Sequence, residues 1–170
     1  MPPSAIPSMT PPEDIPGIIA GLEATPAILR NLLRGIPQET LKARRIPTAW
    51  TIHEHACHIA SGDRIGFIAR YHQFIEEDCP AITPLSGESF PKNYLMEMDL
   101  AQALEQFEID RREVVGLARG ADASIWAKTA RHPEYSLYSP YIMLRHRLMH
   151  DHLHLYRIEE LWLTRDACLR

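Results

Sequence analysis

The sequence predicts an all-α fold, a four-helix bundle. Three observations carry that expectation. Four segments place apolar residues at the three- and four-residue spacing of a helix face. No stretch of useful length alternates apolar and polar residues as a half-buried strand does. Proline and glycine punctuate the intervals between the four segments. With 170 residues, 45% of them hydrophobic, the chain can bury a core of its own as one domain.

The elements follow in order. The opening stretch MPPSAIPSMTPPEDIP carries six prolines in sixteen residues and lacks the charged-then-apolar pattern of a secretory signal. Residues 1–13 therefore read as a flexible, Pro-rich lead-in, and residues 14–170 as a single domain. The first helix covers about 13–34, with Ile18, Ile19, Leu22, Ile28, Leu29, Leu32 and Leu33 mostly at helical spacing. Thr25-Pro26 looks like a cap followed by proline at a first helical position, so this is one broken helix or two short ones. Gly35 and Pro37 stop it.

A second helix starts at Thr51 and runs to about Glu77, where Cys79-Pro80 ends it. Residues 80–97, with three prolines and a glycine, read as a loop. A third helix spans about 99–119, with Gly120 expected as its C-terminal cap. A further loop carries Trp126 and His132-Pro133. The fourth helix opens at Ser139-Pro140, a cap then a proline, and ends near Thr164. No internal repeat is present. The long second and third loops allow a crossed order of helices rather than a simple up-and-down one.

Composition excludes several classes of function. The formal net charge is −4, and no Lys/Arg stripe gives the footprint of a nucleic-acid binder. No apolar run approaches the roughly 20 residues of a membrane span. Cys57, Cys79 and Cys168 are odd in number, far apart and form no CxxC pair, which points to a reducing, cytoplasmic setting.

Histidine carries the functional signal. Seven of the nine histidines fall in or beside two clusters: His53, His55 and His58, then His146, His150, His152 and His154. The first cluster, HEHACH, fails the protease pattern HExxH, because Cys57 stands where the second histidine belongs. Thr51 and Glu54 fit a capping box, with Glu54 bonding back to the helix start; the competing role for Glu54 is general base. His53 in the first turn is expected in solvent, and His55 fits the surface as well as any other place, so both stand as bystanders to the site. His58, beside Ile59 and Ala60, lies nearer the buried face. In the second cluster, His150 and His154 are four apart and share a face that continues to Ile158 and Leu161. Two such imidazoles can converge on one ion, and a third from another helix would leave a coordination position open, the pattern of a catalytic site. His152 points elsewhere. His146, one turn earlier, either supports the site or lies at the surface.

These motifs resemble the DinB-like superfamily, which includes YfiT-like metal-dependent proteins. The stretch Trp50-Thr51-Ile52-His53-Glu54-His55-Ala56-Cys57-His58-Ile59 matches its second-helix signature, with an acid, Asp63, five residues after His58. His150 and His154 match its His-x3-His helix, and His132-Pro133 an element that often precedes that helix. The match covers about residues 14–165. The resemblance implies a bundle of crossed topology and a divalent metal, zinc or nickel, held by His58, His150 and His154. It also implies a homodimer, a small-molecule substrate, and either hydrolysis or transfer involving a low-molecular-weight thiol. A non-catalytic metal- or ligand-binding bundle is the alternative. Arg157 departs from the family, which commonly has glutamine there. It would face the metal and hold an anion, or point outward. Asp63 and Cys57 are the residues that could close the site as a fourth ligand. A histidine site should release its metal on acidification to around pH 5.

Overall fold

The computed structural model describes residues 12–84 and 90–169. The expected flexible segment falls mainly on residues 1–11, outside the described residues, as does 85–89 of the second loop. The helices are α1 (Ile15–Leu33), α2 (Gln38–Leu41), α3 (Ile52–Gly62), α4 (Ile68–Glu76), α5 (Tyr94–Glu97), α6 (Leu100–Gly120), α7 (Ala123–Trp126) and α8 (Pro140–Leu163). Two isolated bridges, Ala81 with Arg131 and Ala130 with Tyr138, are the β-type pairing among the described residues.

The helix starts follow the chemistry read from the sequence. Thr51 caps α3 in a reciprocal box: its hydroxyl accepts from the Glu54 amide at 3.1 Å, and Glu54 accepts from the Thr51 amide at 2.8 Å. Ser139 caps α8, with Pro140 in its first turn. Asp99 caps α6. Two expectations fail. Gly120 is the last residue of α6 and has no left-handed φ; Gly35, with φ of 84°, is the glycine that takes that conformation, just after α1. Thr25 does not start a new helix. It sits inside a continuous α1, its hydroxyl bonded to the Gly21 carbonyl at 3.0 Å. Pro26 removes the amide that would serve the Leu22 carbonyl four residues back. The Arg111 guanidinium serves it instead, at 2.9 Å.

The expected second helix is two helices, α3 and α4, joined by an unbroken helical stretch. Between α3 and α4, residues Asp63–Phe67 form a π turn, one residue wider than the α-helix. Gly62 explains the room for it: a Cβ there would lie 2.9 Å from both terminal nitrogens of Arg147. The apolar periodicity continues through this region, so nothing in the pattern of hydrophobic residues marks the turn.

The topology is crossed. Helix α1 packs against α6 and α8, and α3 packs against the same two helices. Successive long helices α1 and α3 therefore face each other across the bundle diagonal. The core forms two apolar clusters, one around Leu29, Ile59, Phe107 and Ile158 and one around Leu22, Phe74, Val114 and Leu144. Following each helix from one cluster to the other gives its direction. Helices α1 and α8 run one way; α3 with α4, and α6, run the other. Two consecutive rods pointing the same way need a long connection, which residues 77–99 supply.

Between the two clusters lies a waist of buried charge. Asp63, Arg111, Arg147 and Asp151 are all buried. Arg111 Nε donates to Asp63 Oδ2 at 2.6 Å, and its Nη2 lies 2.8 Å from Asp151 Oδ2. Arg147 Nε donates to Asp63 Oδ1 at 2.7 Å, and its Nη1 lies 3.0 Å from Asp151 Oδ1. Its Nη2 also reaches the Ile59 carbonyl at 2.7 Å. Two cations against two carboxylates make a closed set, the condition under which buried charge is tolerated.

Candidate metal centre

The waist sets the site. Helix α8 carries Arg147 and Asp151 on one flank and His150 and His154 beside them, while α3, packed against α8, brings His58 to face them. His58 Nε2 lies 2.9 Å from His150 Nε2, and His154 Nε2 lies 3.2 Å from His150 Nε2. One ligand nitrogen from each of the three rings falls within 4.8 Å of the others. Zinc bonds of about 2.0–2.1 Å at tetrahedral angles place ligand nitrogens about 3.3 Å apart, so the spacing fits an ion. Proton arithmetic agrees. Neutral imidazole has one N–H, and with those protons on Nδ1 the three Nε2 lone pairs would face one point, an arrangement that a cation satisfies.

Two of the rings, His58 and His154, are held neutral. Burial, with the neighbouring rings and Arg147, pushes His58 down to about 4. Burial and the same neighbours push His154 to about 3. A neutral imidazole is the ligating form. His55, which sequence reasoning left as a bystander, is buried and 2.8 Å from His154, Nδ1 to Nδ1. When His154 ligates through Nε2, its Nδ1 carries the proton, and His55 is there to accept it. His55 is itself lowered to about 4, by burial first and then Arg157. His150 Nδ1 lies 3.1 Å from Arg147 Nη1 and 4.0 Å from Asp151 Oδ1. Arg147 Nη1 can only donate, so ligation through Nε2, with the proton on Nδ1, would need His150 to turn that proton from the guanidinium towards the Asp151 carboxylate. The signal for His55 was its place three residues before His58, on the same side of a helix. Trp50 covers the group: its ring stands within 4.8–5.7 Å of the His55, His58 and His154 rings.

The remaining candidates stand outside the three-ring group, although Glu54, His132 and His146 line a cleft beside it. His53 is buried, not solvated, with its Nε2 3.5 Å from Cys57 Sγ. Cys57 is buried and its thiol is pushed up to about 12, chiefly by that burial, so it offers no thiolate. Asp63 gives both oxygens to the two buried arginines. Neither residue closes the site. Arg157 points outward and pairs with Glu160 at 2.6 Å. Glu54 is committed to its cap and to Arg44, at 3.1 and 3.2 Å, and its pKa lies below the usual glutamate value, so it is a poor base. His146 is exposed, its Nδ1 3.2 Å from the Tyr135 hydroxyl. His132 lies against the rings of Tyr135 and Tyr138.

A cleft of about 760 Å³ opens beside the ligands. His58 and His150 line it, with Trp50, Phe67, Tyr94 and Tyr138 among its aromatic walls and Arg70 and Lys92 as cations. Fold and site together define a crossed four-helix bundle with a three-histidine group suited to a divalent ion. The chain belongs to the DinB superfamily, whose family model matches residues 21–158. Among solved structures it is similar to YfiT from Bacillus subtilis, described as a probable metal-dependent hydrolase with an unusual four-helix bundle topology. That likeness has a TM-score of 0.79 and 21% identity over 93% of this chain and 90% of the other. No curated protein matches significantly.

Proposed function

We propose that the protein is a divalent-metal-dependent enzyme of the hydrolase class, with zinc or nickel held by His58, His150 and His154. The observation that carries this reading is the open side of the ligand group: two ligand rings face the cleft, and Cys57 and Asp63 are both otherwise engaged. A bound ion would supply Lewis acidity and a water acidified to react near neutral pH. The chain's own residues do the rest. His55 orients His154, Trp50 shields the rings on one side, and the aromatic walls hold the apolar part of a small substrate. Arg70 and Lys92 bring positive charge to a lining that also holds the carboxylates of Glu54 and Glu134, which suits a polar substrate without selecting its charge. A cleft of this volume also admits a low-molecular-weight thiol, so thiol transfer is the second reading. The exposed free cysteines Cys79 and Cys168 fit a reducing cytoplasm.

Metal analysis of the purified protein, beside His150→Ala and His154→Ala, is the primary test. Near one ion per chain in the wild type and a loss in both variants is expected; unchanged metal in both would remove these ligands. Zinc- and nickel-loaded protein is then assayed on ester and amide panels, with and without glutathione. Turnover that requires the thiol would favour transfer. Metal without turnover on any panel would favour a non-catalytic binder.

A further inference from the structure

Helix α8 is apolar on two opposite faces. Its inner face is core. Its outer face carries Met149, Leu153, Tyr156 and Leu163, which are 64, 54, 61 and 66% exposed. They follow a four, three, seven spacing, a single stripe along the helix. Ile142, half-buried, extends the stripe by one turn towards the N-terminus. On the neighbouring α1, Ile28 lies two turns from Gly21, where α1 meets Leu148 of α8, and is 46% exposed. A soluble chain seldom leaves so regular an apolar ridge facing water.

We infer that this outer face of α8 docks onto the same face of a second copy, antiparallel, about a twofold axis passing between His152 and Leu153. The register comes from self-complementarity. Turning α8 end over end about that point sets Met149 against Tyr156 of the second copy, and Ile142 against its Leu163. The same operation sets Arg145 against its Glu159 and Glu160. Two kinds of apolar pair and a pair of opposite charges then meet, with Leu153 beside His152 of the second copy at the axis. In the single chain Arg145 reaches only the Tyr141 hydroxyl and ring, and neither Arg145 nor Glu159 has an oppositely charged partner among the described residues. Such a face, used identically by both copies, is what a twofold interface requires. The paired stretch, from Ile142 to Leu163, runs roughly 30 Å at 1.5 Å per residue, the length of a short two-helix seam. The inference assigns the surface, orientation and register of a homodimer, and it stands independently of the metal reading.

Light scattering with sedimentation at about 100 μM tests it. The wild type is expected at twice its 19.4 kDa mass. Met149→Glu and Tyr156→Glu are each expected to give monomers, with helical circular dichroism and metal content unchanged. Arg145→Glu should weaken association at least tenfold, and combining it with Glu159→Arg and Glu160→Arg should restore it. A monomeric wild type at that concentration overturns the proposal. So does a dimer indifferent to all these substitutions.

Discussion

At the residue scale, the site is a layered set in which each ring depends on a neighbour. His154 holds its Nδ1 against His55, and that contact fixes which nitrogen is free to ligate. Replacing His55 with alanine leaves His154 free to rotate and to exchange its proton position. We expect His55→Ala to weaken zinc binding 10–100-fold, with secondary structure intact. Competition against a chelating dye measures this, and His152→Ala, exposed on the far side of α8, is the control. Equal affinity in the two variants would leave His55 with packing alone. The three-histidine group was legible in the sequence because two of its members sit four apart on one helix and the third has apolar neighbours. His55 and His53 were misjudged for a shared reason. Polarity places a histidine in solvent by default, whereas here α5, Trp50 and the partner rings cover the first turn of α3.

At the element scale, helix starts were readable and helix interiors were not. Thr51 and Glu54 signal their box from spacing alone. The Thr51→Ala variant should lose about 1 kcal/mol in urea unfolding. The π turn at Asp63–Phe67 carries no such local signal, since it is fixed by what comes from α8: the Arg147 side chain lies against Gly62 and binds the Ile59 carbonyl. The Gly62→Ala variant tests that account. Its Cβ would lie 2.9 Å from the guanidinium, so the side chain must shift within a closed charge network. A loss of about 1–3 kcal/mol is expected, together with weaker metal binding, because Arg147 also lies against His150. A purely local helix effect would stabilise slightly, since alanine is the better helix former. The sign of the change decides between the two.

At the scale of the whole molecule, the waist joins all four long helices. Arg111 from α6 serves a carbonyl that Pro26 strands in α1, while Asp63, Arg147 and Asp151 link the π turn to α8. Fold class and crossed order were foreseeable from helix lengths and long loops. The waist was not, because four charged residues on three segments show their partnership only once the segments meet. Breaking one member leaves a buried charge unpaired, so Asp63→Asn should cost about 3–5 kcal/mol. This is a larger loss than any surface ion pair such as Arg119 with Glu23 could give.

The metal site adds a pH dependence to that stability. His55, His58 and His154 have folded pKa values of about 4, 4 and 3, below the ordinary 6.5. Groups held neutral on folding bind protons more readily in the unfolded chain. The metal-free protein is therefore most stable above about pH 6.5 and loses stability as pH falls from there towards 4. The same lowering moves proton competition at His58 and His154 below the pH 5 expected from an ordinary imidazole, so bound metal should persist at pH 5 and leave nearer pH 4. An ion that binds only the folded chain adds about 2.7 kcal/mol at a hundredfold excess over its Kd. For a chain of this size that is roughly 5–10 °C in Tm. Melting curves with and without zinc, stepped from pH 7.5 to 4, should show this gain at pH 7.5, most of it kept at pH 5, and its loss near pH 4. His150→Ala should lack the gain throughout. A gain of equal size in that variant would place the zinc elsewhere on the molecule.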